Sequence, residues 1–177
     1  MAASVSPIAS IIGADSTAVQ ALFATVVAQW RTSGVRIAGV IAETRELPGR
    51  TCAAGALRSI TSGSVFRIYL EAPPQDTSCH LDAIGVGAAC AEILDQIAAS
   101  DLLVLSKFGK LEAAGTGLLP AFEAAIAAGT HRAASRAFAP AAAELPADAA
   151  ALRSWWGRQW AGSHASPLSA QSSARSR

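Results

Sequence analysis

The amino-acid sequence predicts an α/β fold with a mostly parallel sheet. Short, continuous apolar runs are typical of strands that are buried on both faces, and the chain has three, at residues 7–12, 35–42 and 102–105. Segments with helical periodicity lie between these runs, as expected for strand–helix–strand crossovers. A small polar turn at 61–64 is flanked by two further apolar arms and predicts an antiparallel hairpin inserted into the sheet.

The first crossover begins near the start of the chain. Gly13 and Ala14 form a turn after the first strand, and Asp15 or Ser16 is positioned to cap a helix that ends just before Gly34. The apolar residues of this helix recur at helical spacing and predict its buried face: Val19, Leu22, Phe23, Val26, Val27 and Trp30. The second strand is expected to run parallel to the first.

The middle of the chain is predicted to hold the hairpin and a second helix. Residues 56–60 and 65–70 form the arms of the hairpin, and the helix spans about residues 84–99. Helical spacing predicts a buried face of five residues: Val86, Cys90, Ile93, Leu94 and Ile97. This helix leads directly into the strand at 102–105.

The C-terminal part is predicted to add two helices, at about residues 118–128 and 149–160. The segment after Gly129 has few of the branched residues that favour strands, so the last strand of the sheet is expected to be lost or replaced. Residues 1–161 are therefore interpreted as a single α/β domain. From 162 to 177, Ser, Ala and Arg without periodicity predict a disordered tail.

Composition narrows the class of protein. With 177 residues, 51% of them hydrophobic, the chain has enough apolar surface for the core of one domain. A net charge of +1 without a basic run excludes a typical nucleic-acid binder, because such proteins neutralise phosphates with many Lys and Arg. No stretch approaches the roughly 20 apolar residues of a membrane-spanning helix. Three cysteines, an odd number without a disulfide-type spacing, indicate a cytoplasmic protein with reduced thiols.

One polar cluster follows the strand at 102–105. Lys107, Lys110 and Glu112 lie just past the carboxyl end of this strand, where ligands bind in open α/β sheets. They are therefore candidate ligand-binding residues. A solvated strand exit with an internal Lys–Glu pair is the alternative interpretation.

A second candidate cluster lies at the start of the first helix. Ser16 and Thr17 supply amides that have no partner within the helix, and the helix dipole favours an anion there. Gly13 and Asp15 precede them and complete the candidate site, although the carboxylate of Asp15 has the wrong charge for a phosphate. A helix cap without a ligand is the alternative interpretation.

The cysteines offer a third kind of site. Cys52, Cys79 and His80 would hold a soft metal or act as a redox centre if the fold brought them together, and otherwise they are incidental residues. Cys79 lies near a helix start, a position that lowers a thiol pKa, and is expected to be the most reactive thiol, followed by Cys52. Cys90 lies on the apolar helix face and is expected to be packed and inert.

The last helix carries Trp155, Trp156 and Trp160, which cannot all face the same side. One of them is expected to pack on the sheet while another stays exposed. An exposed tryptophan of this group is the candidate contact for a protein partner.

A longer pattern carries a family resemblance. Residues 106–117 read Ser-Lys-Phe-Gly-Lys-Leu-Glu-Ala-Ala-Gly-Thr-Gly, with Cys79-His80-Leu81-Asp82 upstream and Glu144-Leu145-Pro146 and Trp155-Trp156 downstream. Over about residues 8–156 the chain resembles a bacterial family of domains of unknown function. That family is similar to small P-loop nucleoside-triphosphatases, and its members are often described as accessory proteins of molybdenum ABC transport. The resemblance implies a three-layer P-loop NTPase-like fold and no particular activity.

Two departures from the triphosphatases shape the predicted function. Their Gly-rich loop ends in Gly-Lys-Ser/Thr, whereas residues 13–17 here contain no lysine, so the phosphate loop is degenerate. The strand at 102–105 is followed by Ser106 and Lys107 instead of an Asp that holds magnesium. We therefore expect an accessory protein that binds a small anion or nucleotide, molybdate among them, with little or no hydrolysis.

Two other functions stay open at this level. A divergent nucleoside-triphosphatase would need Lys107 or Lys110 to replace the missing lysine and Glu112 to position water or magnesium. A Cys-based metal or redox protein would need Cys52, Cys79 and His80 within ligand distance. The sequence does not identify a cofactor.

Overall fold

A computed structural model describes residues 8–43, 55–72, 80–106, 108–127, 131–135 and 142–164. The strands in this part of the chain are β1 (Ile8–Ile12), β2 (Ile37–Glu43), β3 (Ala56–Ser59), β4 (Val65–Arg67), β5 (Leu102–Leu105), β6 (His131–Ser135) and β7 (Ala143–Pro146). The helices are α1 (Ser16–Thr32), α2 (Ala83–Ile97), α3 (Lys110–Ala113), α4 (Leu119–Ala127) and α5 (Ala149–His164). None of these helices is long and apolar enough to cross a bilayer.

The strands form a single sheet in the order β4-β3-β2-β5-β6-β1-β7. The strands from β2 to β7 in this order pair in parallel, and β3 and β4 pair antiparallel at the β2 edge. The predicted crossover from β1 through α1 to β2 and the predicted hairpin insertion are therefore both present. Because the parallel strands point the same way, the carboxyl ends of β1, β2 and β5 lie at one edge of the sheet.

Helices cover both faces of the sheet. Leu102 and Val104 of β5 pack with α1 and α5 on one face, and Leu103 and Leu105 pack with α2 and α4 on the other. All four side chains are fully buried, which explains why β5 is apolar without alternation. Gly39 allows β2 to approach β5 closely, because its φ is +122° and an added Cβ would overlap the carbonyl oxygen of Val104.

The expectation that the last strand is lost after Gly129 is wrong. β6 is present between β5 and β1, with Leu102 opposite His131 and Ser10 opposite Ala134. A central strand pairs its backbone on both sides, and this pairing supports a segment that has no branched residues. A seventh strand, β7, pairs with the other side of β1 and was not predicted.

Other boundaries also differ from the expectation. Leu94 is 40% exposed, because Ala89 completes the buried face of α2 in its place. The hairpin arms are shorter than predicted, since Tyr69 forms an isolated bridge with Leu81 beyond the end of β4. α5 extends to His164, so residues 162–164, assigned to the tail, are helical, and 165–177 lie outside the described residues.

Candidate functional site

The turn from β1 to α1 is short and exposed. It contains Gly13, Ala14 and Asp15, and α1 begins at Ser16. Asp15, one of the two residues predicted to cap this helix, is the N-cap: its Oδ1 accepts a hydrogen bond from the amide of Ala18 at 2.9 Å. The carboxylate of Asp15 therefore occupies a position at the helix start where an external anion is otherwise favoured.

This turn differs from a phosphate loop in length as well as in composition. A P-loop places four residues between its first glycine and its Gly-Lys pair, so that several backbone amides surround the phosphates. Here three residues separate the last residue of β1 from the first residue of α1. The exposed residues that remain are Ser16 and Thr17, whose amides have no acceptor within the helix.

Gln20 joins this helix to two strand ends and was not among the residues predicted from the sequence. Its side chain is buried; Nε2 donates to the carbonyl oxygen of Ser106 at 3.0 Å, and Oε1 accepts from the amide of Ala42 at 2.8 Å. The residue thereby links α1 to the carboxyl ends of β5 and β2. The signal that would have found it is a glutamine on the buried face of α1, next to Val19 and one turn from Phe23.

The loop after β5 is organised around Glu112. This residue is buried, and its two carboxylate oxygens accept from the amides of Gly109 at 2.8 Å and Leu118 at 2.9 Å. Glu112 thus holds both ends of the loop together and does not form the solvated pair with Lys110 that the alternative interpretation assumed. Gly117 makes room for this carboxylate, since its φ is +67° and an added Cβ would overlap Glu112 Oε1.

The loop after β5 carries two candidate lysines, and the structure describes one of them. Lys110 is exposed at the first residue of α3, the single helical turn in which Glu112 is the third residue. Lys107 lies outside the described residues. Phe108 is partly buried and contacts Phe122 edge-on, with ring centroids 5.6 Å apart, so the loop is fixed to α4 beside the exposed lysine.

The proposed thiol site is described only at His80. Its Nδ1 lies 2.9 Å from the carbonyl oxygen of Leu70, and its ring stacks on Tyr69 at 5.3 Å. Cys52 and Cys79 lie outside the described residues, and within the described part no group of three or more His, Cys, Asp or Glu is arranged to hold a metal ion.

Cys90 and the tryptophans belong to the core. Cys90 is buried, as predicted, and burial raises the pKa of its thiol. Trp155 and Trp156 are buried too, and Trp160 is partly buried against Trp156 with ring centroids 5.4 Å apart. The expectation of an exposed partner contact is therefore wrong for Trp155 and Trp156, because these side chains fill the space between α5, α1 and the sheet, where Trp156 meets Trp30.

A groove of about 730 Å³ extends from this edge along the side of α1. One wall is α1, from Thr17 to Arg31, and the other is formed by β2, β3 and the hairpin turn up to Gly63. Its floor includes Ile41 and Ile60. The groove starts at Thr17 and Gln20, so it opens beside the turn that follows β1.

Comparison with known proteins defines the class of fold. The chain is similar to a solved structure described as the solution structure of a human cancer-related nucleoside triphosphatase, with 18% sequence identity and a TM-score of 0.50. The match covers 86% of this chain and 82% of that one. At this level of identity the similarity shows the fold alone, an α/β fold like that of the nucleoside triphosphatase.

The chain belongs to the family described as "Protein of unknown function (DUF2478)", whose model matches residues 8–155. The predicted membership in a family of unknown function with a P-loop NTPase-like fold is therefore confirmed. No curated protein matches the chain.

Proposed function

We propose that this protein binds a nucleotide or a small oxyanion at the carboxyl edge of its parallel sheet and hydrolyses it slowly or not at all. The observation that carries the proposal is the Gln20 bridge, which fixes the exposed start of α1 to the end of β5. The loop that presents Lys110 follows that same strand end. In open α/β sheets this edge is where ligands bind.

Each proposed ligand-binding residue has a role that its chemistry supports. The amides of Ser16 and Thr17, next to Gly13, donate to the anion, and the ammonium of Lys110, together with Lys107, compensates its charge. Glu112 acts indirectly, by holding the loop that carries Lys110. Asp15 weakens binding, because its carboxylate already accepts from the first turn of α1.

Slow hydrolysis is supported by what the site lacks in the described residues. The turn after β1 is too short to surround a chain of phosphates and contains no lysine. Ser106 follows β5 where a magnesium-binding Asp is expected, and both oxygens of Glu112 are engaged by backbone amides. The transition state is therefore left without most of its usual charge compensation.

Two separate arguments support the proposed ligands, a nucleotide and molybdate. The similarity to a solved nucleoside triphosphatase favours a nucleotide, and the family resemblance favours molybdate. A nucleotide phosphate and molybdate are both tetrahedral oxyanions, so both would bind to the amides of Ser16 and Thr17 and to the ammonium of Lys110. A divergent triphosphatase is the second candidate function, and the same similarity supports it.

Calorimetric titration with ATP, phosphate, sulfate and molybdate tests the proposal. We expect at least one of them to bind more tightly than about 1 mM, with weaker binding in Lys110→Ala. Asp15→Asn keeps a good helix cap and removes the opposing charge, so it is expected to tighten binding. Asp148→Asn, which changes the N-cap of α5 in the same way, is the matched control and should have no effect. Absence of binding, or equal affinity in wild type and Lys110→Ala, overturns the proposal.

A further inference from the structure

The groove beside α1 contains an arginine whose hydrogen bonds fix it in place. Arg58 Nε and Nη2 donate to the two carboxylate oxygens of Glu43, and Nη1 donates to the carbonyl oxygen of Gly63 at 3.2 Å. All three guanidinium nitrogens are thus engaged along the edges of the planar group. The side chain is still 48% exposed, so the surface left to a ligand is the flat face of the guanidinium.

The opposite wall of the groove is smooth and apolar. Ala21, Ala24 and Ala28 lie along one side of α1, are exposed, and line the groove together with Arg58. Small side chains on one wall and an immobilised planar cation on the other leave a space suited to a flat ring. Guanidinium faces stack favourably on aromatic rings and nucleobases.

We infer that this groove is a slot for the base of a nucleotide, which stacks on the face of Arg58. The inference rests on the proposed function for the position of the phosphate, and it names the ligand class as a nucleotide instead of an inorganic oxyanion. The groove opens at Thr17, in the first turn of α1, so a phosphate at the helix start and a base in the groove belong to one molecule. Its volume of about 730 Å³ lies in the range of small-molecule sites.

The charges along the groove agree with this ligand. Glu43 is paired with Arg58, and Arg31 lies at the far end, where its Nη1 donates to the carbonyl oxygen of Ile60 at 3.0 Å. The lining therefore carries two guanidinium groups and one carboxylate. This balance favours an electron-rich, anionic ligand over a cationic one.

The test compares AMP and GMP with ribose 5-phosphate, which has the phosphate and sugar but no base. Titrations followed by calorimetry are made with wild type, Arg58→Lys, which keeps the charge but loses the planar face, and Ala24→Leu, which fills the slot. Matched controls are Arg36→Lys, whose arginine makes a similar two-point pair with Asp101 away from the groove, and Ala91→Leu on the exposed side of α2.

We expect at least one nucleotide to bind about tenfold more tightly than ribose 5-phosphate, as an aromatic ring on a partly desolvated cation predicts. This difference should disappear in Arg58→Lys and Ala24→Leu and persist in both controls.

If nucleotide and ribose 5-phosphate bind equally and both depend on Lys110, the base slot is wrong and the proposed anion site stands. If adenosine or guanosine binds as well as its nucleotide, with dependence on Arg58 but not on Lys110, the anion site is wrong and the slot stands. If no probe binds, the base slot is wrong, and the anion site is then decided by the titrations with phosphate, sulfate and molybdate.

Discussion

Two buried polar side chains, Gln20 and Glu112, organise the carboxyl edge of the sheet. Each uses both of its terminal side-chain atoms on backbone groups: Gln20 joins α1 to β2 and to the end of β5, and Glu112 joins the start of α3 to Leu118. Their importance follows from burial, since a backbone group that loses its partner inside the protein is costly. The sequence predicted Glu112 as a ligand-binding residue and did not reveal its structural role, because the partner amides follow only from the path of the loop.

Replacing Gln20 by leucine should lower the free energy of unfolding by about 2 kcal/mol, because the amide of Ala42 and the carbonyl of Ser106 would lose their partner. Gln29→Leu is the control, since Gln29 is exposed on the same helix and its Oε1 accepts a surface hydrogen bond from Arg153 at 3.1 Å, so stability should change by less than about 1 kcal/mol. Urea unfolding measures both values. Equal effects of the two substitutions would show that the Gln20 bridge contributes nothing.

Substitutions of two glycines in the loop after β5, Gly115 and Gly117, test the structural role of Glu112. Gly117→Ala places a Cβ against the Glu112 carboxylate, whereas Gly115→Ala has a similar positive φ and open space around it. Both substitutions carry the left-handed cost of about 1 kcal/mol, but Gly117→Ala should cost at least about 2 kcal/mol more, because it displaces the partner of two amides. Thermal or urea unfolding of the two variants decides the matter, and equal destabilisation contradicts this role.

At the scale of elements, the hairpin turn is attached to α2 through a cluster of hydroxyl groups around Glu92. Ser62 Oγ donates to the carboxylate at 2.7 Å and Gln96 Nε2 donates at 3.0 Å. Hydrogen bonds from Ser59, then Ser62 and Gln96, lower the pKa of Glu92 below its ordinary value. The cluster therefore stabilises the hairpin in the ionised state of one carboxylate.

This cluster should make stability depend on pH. A carboxyl group with a lower pKa in the folded state stabilises the fold above its unfolded pKa of about 4.3, and the contribution is lost as the pH falls through the folded pKa. The stability difference between wild type and Glu92→Gln should therefore be largest near pH 7 and shrink below about pH 4. Urea unfolding at several pH values measures it, with Asp95→Asn on the exposed side of α2 as the control. A difference that grows in acid would contradict the assignment.

Which elements the sequence predicts depends on where their stability comes from. α1 and β5 were predicted well, because their own apolar residues face the core and leave a clear period or run. β6 and α3 were not, since β6 depends on pairing with both neighbours and α3 depends on the Glu112 contact with Gly109. Tertiary contacts of this kind leave no local pattern in the sequence.

At the scale of the whole molecule, an α/β fold similar to that of a nucleoside triphosphatase has a carboxyl edge at which a three-residue turn without lysine joins β1 to α1. The sequence predicts the candidate site at this edge, from the motif after β5 and the lysine-free turn after β1, and the site stays a prediction. It did not reveal that the groove along α1 opens at the same edge, since the groove is formed by residues from 17 to 63 that only the fold brings together. We therefore propose binding, with little or no hydrolysis, as the function of this edge.

The most direct test of this account is ³¹P NMR of ATP and magnesium with the wild-type protein. We expect the phosphate signals to shift or broaden on addition of protein, with the loss of this effect in Lys110→Ala, while the γ-phosphate signal stays intact over hours. Unchanged signals at millimolar protein would contradict the binding site. Release of inorganic phosphate at about 1 per second, abolished in Lys110→Ala, would contradict the absence of efficient hydrolysis and establish the divergent triphosphatase instead.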